Sequence, residues 1–438
     1  MSKHRHKGRS VSVGTVFMIL LTTVVLVSFC ILMPKLTGDV DVRTNAAELA
    51  VALDQSISQI ASVASVTQKP PVLKAQATIL PPQNLATAAP PTTPPKMSFS
   101  LCAAGSIMLN TAVQKAVTDQ EGYHYSILFD QMNQAMNADL TLATLESNVI
   151  PTAEFGDNNA PVDVLSAIKN AGVDALCLGY FGILDEGLEG AAKTKENVAS
   201  AGMLPYGVYA SAQEREKLSL VNVNGISVAL LSYQNELSSA GKKNTTKEEQ
   251  SFAIASQQLP TISSEIAAAR QAGAQVVVVS LCWGKANATS PTSTQRELAQ
   301  GIADAGADVI LGTHSGTLQT VEILTAKRGD ELYHPVLCAY SLGNLFTYDR
   351  SKRSSLASIL LKAEVVYDTG TQTVAFDNLQ YLPTYSWRDK QDGKMRYRVL
   401  LNNGQYPSFI EKDQKSVMER CLKLVKNVMK DSPIAAAP

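Results

Sequence analysis

A chain of 438 residues with a net charge of −1 is long enough for two ordinary domains, or for one large domain with appendages. The near-neutral charge creates no global field that would attract a nucleic acid, so no nucleic-acid partner is predicted. Aromatic residues make up 6% of the chain, and Ala, Val and Leu are abundant. This composition suits an α/β core and does not indicate general disorder.

The N-terminus predicts a membrane anchor. Residues 1–10 form a basic head, expected in the cytoplasm, and residues 11–33 contain no charged side chain. Roughly 20 apolar residues cross a bilayer as a helix, and no small-residue cleavage site follows the apolar run closely. We therefore predict an uncleaved signal anchor and a single-pass protein of the cell membrane. Since cationic flanks stay in the cytoplasm, the rest of the chain is expected outside.

A spacer separates the predicted anchor from the exported part. Residues 34–96 begin with apolar side chains at loose helical spacing, which predicts a stalk, and continue into a Pro-, Ala- and Thr-rich segment. Proline at this density cannot continue a helix or a central strand, so we expect a semi-rigid, extended linker. The exported domain is then predicted over residues 97–430, with a flexible tail over residues 431–438.

Beyond the linker, short apolar runs alternate with helical patterns, which predicts an α/β fold. Three helices end at a glycine suited to a left-handed cap, directly before a buried strand: Gly172, Gly273 and Gly306. The later strands follow one another without long helices, which predicts a second, partly antiparallel sheet. The predicted strands are 99–103, 140–145, 175–178, 218–223, 227–232, 275–281, 308–311, 336–340, 358–366 and 373–381. The predicted helices are 127–136, 162–171, 188–201, 262–272, 295–305 and 412–430.

Four of the six cysteines fall in or at the end of apolar, strand-like runs: Cys102, Cys177, Cys282 and Cys338. Buried thiols that pack as small hydrophobic groups explain this placement. A disulfide is compatible with an exported domain, but spacing alone does not assign one.

The informative polar segments all follow predicted strands, and ligands of α/β folds bind beyond the carboxyl ends of strands. The most diagnostic segments are Gly312-Thr-His-Ser-Gly-Thr-Leu-Gln319 and Tyr340-Ser-Leu-Gly-Asn344. With the segments around Ser106, Glu146, Asp185 and Cys282, they resemble in order and spacing the CapA family of bacterial capsule and poly-γ-glutamate synthesis proteins, across about residues 97–385. The resemblance implies a four-layer α/β/β/α sandwich of the calcineurin-type metallophosphoesterase kind. Metal ligands of that fold come from loops after successive strands.

The resemblance also implies where the ligands of a two-metal site would lie. Three positions match an expected ligand, namely Glu146, Asp185 and His314. Four positions do not, since Ser106 replaces an Asp, and Gly182, Cys282 and Gly316 each replace a His. Trp283 and Asn344 match scaffold positions of the same segments. The predicted vestigial site therefore comprises Ser106, Glu146, Asp185, Cys282, Trp283, His314 and Asn344.

The histidine count leads to the same conclusion. The chain has five histidines, and two of them lie in the basic head. Of the remaining three, only His314 ends a strand beside the presumed site. One imidazole, two carboxylates and a thiol would be an unusual two-metal ligand set. No cofactor is therefore expected, and a divalent metal would depend on Glu146, Asp185 and His314.

Each candidate also has an interpretation that needs no ligand. Asp185 can cap the helix that follows it, Glu146 can pair locally, and His314 can hydrogen-bond to a neighbouring loop. Cys282 can be a buried thiol, Trp283 can serve packing, and Asn344 suits a tight turn.

Together these observations predict a membrane-anchored, CapA-like protein of capsule, poly-γ-glutamate or other cell-envelope polymer synthesis or export. Since most metal-ligand positions are substituted, it is expected to bind or scaffold rather than catalyse. Its expected partners are the membrane and either an anionic envelope polymer or polymer-synthesis proteins. One alternative is a single-metal, phosphoesterase-like hydrolase with a reduced site. Another is a surface protein-interaction module.

Overall fold

A computed structural model describes residues 95–151, 159–329 and 332–437 of the chain. The predicted basic head and membrane anchor, and nearly all of the predicted linker, lie outside these ranges. Within them, no helix is both long enough and apolar enough to cross a membrane.

The described region contains ten strands that the sequence pattern predicts and nine that it does not. In chain order they are β1 (Lys96–Ile107), β2 (Thr118–Asp119), β3 (Gly122–Tyr123), β4 (Leu140–Leu145), β5 (Asn148–Val149), β6 (Asn159–Ala160), β7 (Ala175–Cys177), β8 (Leu204–Tyr206), β9 (Leu220–Val223), β10 (Ile226–Gln234), β11 (Val276–Cys282), β12 (Val309–Thr313), β13 (Val321–Ala326), β14 (His334–Ala339), β15 (Asn344–Phe346), β16 (Ala357–Asp368), β17 (Thr373–Gln391), β18 (Lys394–Leu401) and β19 (Ala435–Ala436). Each predicted strand has a counterpart among them.

The helices are α1 (Thr111–Ala116), α2 (Asn133–Met136), α3 (Asp163–Asn170), α4 (Gly187–Ser200), α5 (Ala212–Arg215), α6 (Ser239–Asn244), α7 (Lys247–Ala253), α8 (Leu259–Gln271), α9 (Ser293–Asp304) and α10 (Lys412–Val428). The three predicted glycine caps are confirmed, because Gly172, Gly273 and Gly306 have φ values of 108°, 92° and 114°. Only glycine adopts this backbone region without strain. The predicted helix 127–136 is instead a 3₁₀ turn, Tyr125–Leu128, followed by the short α2.

Two large mixed sheets form the centre of the described region. One has the strand order β18-β17-β16-β1-β4-β7-β8, with β15 beside β1 and β19 beside β17. The other has the order β13-β14-β12-β11-β10-β9. Strands β1, β4, β7 and β8 run parallel, as do β10, β11, β12 and β14. The late strands β16 to β18 do not form a separate sheet as predicted, because β16 pairs antiparallel with β1 and extends the first sheet.

The core lies between the two sheets. Leu142 of the first sheet and Val228 and Val278 of the second belong to one buried cluster. Helices α3 and α4 cover the outer face of the first sheet, and α8 and α9 cover that of the second. The mixed α/β class is therefore confirmed, and the layers follow the order helix, sheet, sheet, helix.

The C-terminal residues differ from the predicted flexible tail. Strand β19 pairs with β17, and the backbone N–H of Ala437 donates to the Tyr381 carbonyl oxygen at 2.9 Å. The side chain of Ile434 is 4% exposed and belongs to the core between the sheets. An apolar side chain and a free sheet edge thus hold this segment against the domain.

Candidate functional site

The predicted site residues gather where parallel strands of both sheets end. Ser106 lies near the end of β1, and Glu146 follows β4. In the other sheet Cys282 is the last residue of β11, and His314 follows β12. The two sheets therefore bring their carboxyl ends to one region, as the strand pattern predicts.

Glu146 forms a hydrogen bond with Ser106. The Ser106 hydroxyl donates to Glu146 Oε1 at 2.6 Å, and Ser106 is 2% exposed. Burial raises the pKa of the Glu146 carboxyl, while the Ser106 hydrogen bond and nearby His314 act in the opposite direction. The serine at the expected Asp position thus satisfies one oxygen of the neighbouring carboxylate and adds no negative charge.

Asp185 contacts a different serine. Its Oδ1 accepts a hydrogen bond from the Ser238 hydroxyl, which also accepts from the Gly241 backbone N–H at 2.8 Å. The N-cap position of α4 belongs to Glu186, so the interpretation of Asp185 as that cap is wrong. Burial raises the pKa of Asp185, with the Ser238 hydrogen bond opposing it.

An aromatic ring lies beside both carboxyl groups. Tyr180 is 3% exposed, and burial together with the charges of Asp185 and Glu146 raises the pKa of its hydroxyl. A Cβ at Gly182 would lie 2.9 Å from Asp185 Oδ2 and 3.0 Å from Tyr180 Cε2. The ring therefore occupies space that a histidine at position 182 would need. The sequence analysis did not identify Tyr180. The glycine at position 182, where the resemblance implies a histidine, was the available sign that another side chain fills this space.

A small cleft of about 120 Å³ opens beside this cluster, lined by Asn235, Glu236, Gln257, Cys282, Trp283, Gly284 and His314. Burial, and to a smaller extent Glu146, raises the pKa of the Cys282 thiol well above its usual range. The Trp283 indole N–H donates to the Tyr340 carbonyl oxygen at 2.9 Å, and the two rings stack 5.8 Å apart. Trp283 thus has the packing role that was its alternative interpretation.

His314 has an unusual backbone. Its φ is 81°, a region that a residue with a Cβ enters at a cost of about 1–3 kcal/mol. The half-buried imidazole lies 5.7 Å from the Phe181 ring, centroid to centroid. The strained turn therefore aims the ring at the loop that carries Tyr180.

Asn344 fastens the loops around the site. Its amide N–H groups donate to the carbonyl oxygens of Gly316 at 3.1 Å and Ser355 at 3.4 Å. The preceding Gly343 accepts a hydrogen bond from the Ser106 backbone N–H at 3.1 Å. A Cβ at Gly105 would overlap the Gly343 carbonyl oxygen, so the two segments can approach this closely only with glycine there. The turn is made by Gly343, whose φ is 76°, whereas Asn344 begins strand β15, so the tight-turn interpretation of Asn344 is wrong.

Gln234 is a further site residue that sequence reasoning missed. It ends β10, pairs in register with Cys282, and is 1% exposed. Neither its amide nitrogen nor its amide oxygen has a hydrogen-bond partner within the described part of the chain. The sequence signal was an amide side chain at the end of a mostly apolar strand.

These side chains do not fit the two-metal site that the resemblance implies. Across residues 95–151, 159–329 and 332–437, no group of three or more His, Cys, Asp or Glu side chains is placed to hold a metal ion. Glu146 and Asp185 each hold a serine hydroxyl instead. The described cysteines are all buried and free, so no disulfide joins Cys102, Cys177, Cys282 or Cys338.

Comparison with known sequences identifies relatives of this domain. The sequence profile described as "Bacterial capsule synthesis protein PGA_cap" matches residues 100–349. The chain is 29% identical over 217 residues to the capsule biosynthesis protein CapA of Bacillus anthracis, covering 49% of each protein. It is 26% identical over 270 residues to the PGA biosynthesis protein CapA of Bacillus subtilis (strain 168), covering 59% of this chain and 66% of that one. The chain thus spans about half the length of the first relative and just under two thirds of the second.

Solved structures also show similarity. The NAD nucleotidase NadN of Haemophilus influenzae has a TM-score of 0.41 at 12% identity, covering 78% of this chain and 57% of that one. The calcineurin-like phosphoesterase YfkN of Bacillus subtilis has a TM-score of 0.35 at 12% identity, covering 76% and 99%.

Proposed function

Because this chain belongs to the bacterial capsule synthesis family PGA_cap, we propose that it acts in the synthesis or export of capsule, poly-γ-glutamate or another anionic cell-envelope polymer. The family predicted from the motifs is confirmed, since the matching profile contains every segment on which the resemblance rested. The names of the two relatives, a capsule biosynthesis protein and a PGA biosynthesis protein, support the polymer context.

We further propose that the domain binds or scaffolds and does not hydrolyse a phosphate ester. The observation that carries this is the Ser106–Glu146 hydrogen bond at the position of a lost carboxylate. A two-metal site stabilises charge on attacking and leaving oxygens, and it needs several anionic or imidazole ligands around each ion. Here the carboxylates face hydroxyls, and Tyr180 stands beside both of them.

The charge-free segment 11–33 is proposed to anchor the protein in the cell membrane, with the domain outside. The segment lies beyond the described residues, and its length and basic flank support the proposal.

The test of the binding role uses the full-length chain in detergent. After equilibration with Mn²⁺ and dialysis, metal content is measured by elemental analysis, and hydrolysis of bis(p-nitrophenyl) phosphate is followed with and without chelator. We expect less than one metal ion per chain and no chelator-sensitive hydrolysis. A stoichiometric metal ion together with chelator-sensitive hydrolysis would instead support the single-metal hydrolase alternative.

The polymer role is tested in the source bacterium by deleting the gene and measuring envelope polymer. We expect less polymer, restored by the wild-type gene and equally by Glu146→Gln or His314→Ala variants present at wild-type levels. Unchanged polymer after deletion would exclude the proposed context. Failure of the two variants to restore it would contradict a non-catalytic role.

A further inference from the structure

A groove of about 610 Å³ runs along the exposed side of α10, and none of the predicted site residues lines it. One wall is α10 with the two residues after Met429, and the other is formed by residues 289–291, Arg296 and the start of β13. We propose that this cationic groove binds a flexible anionic chain whose charges are carboxylates. The inference rests on the proposed function and assigns that polymer a site.

The groove carries more positive than negative charge. Arg296, Arg420, Lys423 and Lys430 line it together with two acidic residues, a local excess of two positive charges in a chain whose net charge is −1. One acidic residue, Glu322, is already engaged by Arg296 at 2.7 and 2.8 Å. The near-neutral total therefore conceals a local patch that attracts anions.

Two of the cations on α10 are available to a ligand. Arg420 is exposed, and its guanidinium donates to the Ser416 hydroxyl at 2.8 Å, which leaves further N–H groups for a carboxylate. Lys423 is exposed, and within the described ranges its ammonium has no ion-pair partner. Lys430 lies 3.7 Å from Asp431 with both side chains largely exposed, a pair that contributes little by itself.

The spacing of these side chains suits an extended chain. Arg420 and Lys423 lie three residues apart in α10, on one face of the helix, and Lys430 lies two residues beyond the end of α10. Leu424 and Val428, both half-buried, also line the groove and give it apolar surface. A chain with methylene groups between its carboxylates can contact this surface, whereas a polyphosphate chain has no apolar part.

The motif residue Gln319 connects the groove to the diagnostic segment. Its amide N–H groups donate to the carbonyl oxygens of Ala288 at 2.9 Å and Ser290 at 3.2 Å. These bonds hold the 289–291 wall against the domain. Gln319 is thus a positioning residue for the groove, and it would influence binding without touching the polymer.

Binding is measured with the full-length chain in phosphatidylcholine nanodiscs, by the fluorescence anisotropy of end-labelled poly-γ-glutamate at 50 and 300 mM NaCl. The test variant is Arg420→Ala/Lys423→Ala. The matched control, Lys412→Ala/Lys426→Ala, removes two positive charges from the same helix but outside the groove. We expect about three- to tenfold weaker binding for the test variant and less than twofold for the control, with wild-type binding weakened by salt.

Three results would overturn the inference: no binding by the wild-type protein, equal losses in both double variants, or tighter binding of polyphosphate than of poly-γ-glutamate. The Gln319→Ala variant adds a second readout, because it should weaken polymer binding while leaving every charge in place. If the gene deletion lowers polymer but the groove binds none, the groove assignment fails and the proposed function stands.

Discussion

The carboxyl groups of the candidate site have neutral partners. Ser106 donates to Glu146 and Ser238 donates to Asp185, so each acid has a neutral hydroxyl as its hydrogen-bond partner. Burial penalises the ionised form of a carboxyl, and one hydroxyl offsets only part of that cost. Both acids accordingly have raised pKa values. The pH dependence of stability should therefore report on this site.

The variant Glu146→Gln should change that pH dependence. Because the pKa of Glu146 is raised above 4.5 in the folded protein, the folded state binds more protons than the unfolded state between 4.5 and the raised value. The free energy of unfolding therefore falls as pH rises through this window. Gln cannot ionise and still accepts from Ser106, so the variant should be more stable than wild type at pH 7.5. The difference should shrink towards pH 4.

Urea denaturation of the full-length chain at pH 4 to 8 measures this effect. Glu297→Gln, on the exposed side of α9, is the control and should follow the wild-type profile. A Glu146→Gln variant less stable than wild type at pH 7.5 would mean that the ionised carboxylate is favourably paired in the folded protein.

Two buried glutamines should respond oppositely to substitution by leucine. Gln234 has no partner for either amide atom among the described residues, whereas Gln319 holds the carbonyl oxygens of Ala288 and Ser290. An unsatisfied buried polar group costs about 1–3 kcal/mol. Gln234→Leu should thus raise the free energy of unfolding by about 1 kcal/mol, and Gln319→Leu should lower it by about 1–3 kcal/mol. Chemical denaturation compares the two variants, and a loss of stability in Gln234→Leu would reveal a partner for that amide.

At the scale of elements, the diagnostic segments hold neighbouring loops in place by hydrogen bonds. Asn344 holds two loops, and Gln319 holds a third. The segment from Tyr340 to Asn344 brings β15 beside β1 at Ser106. These contacts are structural and do not require a bound metal ion.

The C-terminal segment that contains β19 also holds elements together, and truncating Ile434, directly before this strand, should lower the stability of the fold. Ile434 is 4% exposed in the core between the sheets, and a buried Ile truncated to Ala typically costs about 2–5 kcal/mol. We expect Ile434→Ala to lower the free energy of unfolding by about 2 kcal/mol or more. The control Ala436→Ser changes an exposed residue of β19, two positions after Ile434, and should have little effect. Unchanged stability in Ile434→Ala would restore the prediction of a flexible tail.

For the whole molecule, local signals in the sequence predicted more than long-range ones. Apolar runs and glycine caps depend on neighbouring residues, so strand positions and the ends at Gly172, Gly273 and Gly306 were predicted correctly. The pairing of β16 with β1 joins residues far apart in sequence, and no local pattern specifies it. The position of the Tyr180 ring depends in the same way on Gly182 and on the loops that surround it. The motifs therefore predicted where the site lies, but only the folded structure shows which side chains fill it.

The contact between the two sheets at the site gives the last prediction. A Cβ at Gly179, after β7, would overlap the hydroxyl of Ser232 in β10 but lie 3.4 Å from the Ser232 Cβ, an ordinary contact. Gly179→Ala should therefore cost about 1–3 kcal/mol by overpacking.

Ser232→Ala alone should cost about 0.5–1.5 kcal/mol, since it removes the 3.2 Å contact with the Cys177 thiol. In the double variant the new methyl group takes the place of the hydroxyl. Urea denaturation measures the loss in free energy of unfolding for each variant. The losses of the two single variants, added together, should exceed the loss of the double variant by about 1 kcal/mol or more. Additive losses would mean that the sheets separate at this end to admit the extra carbon, and that the site is not closed by their packing.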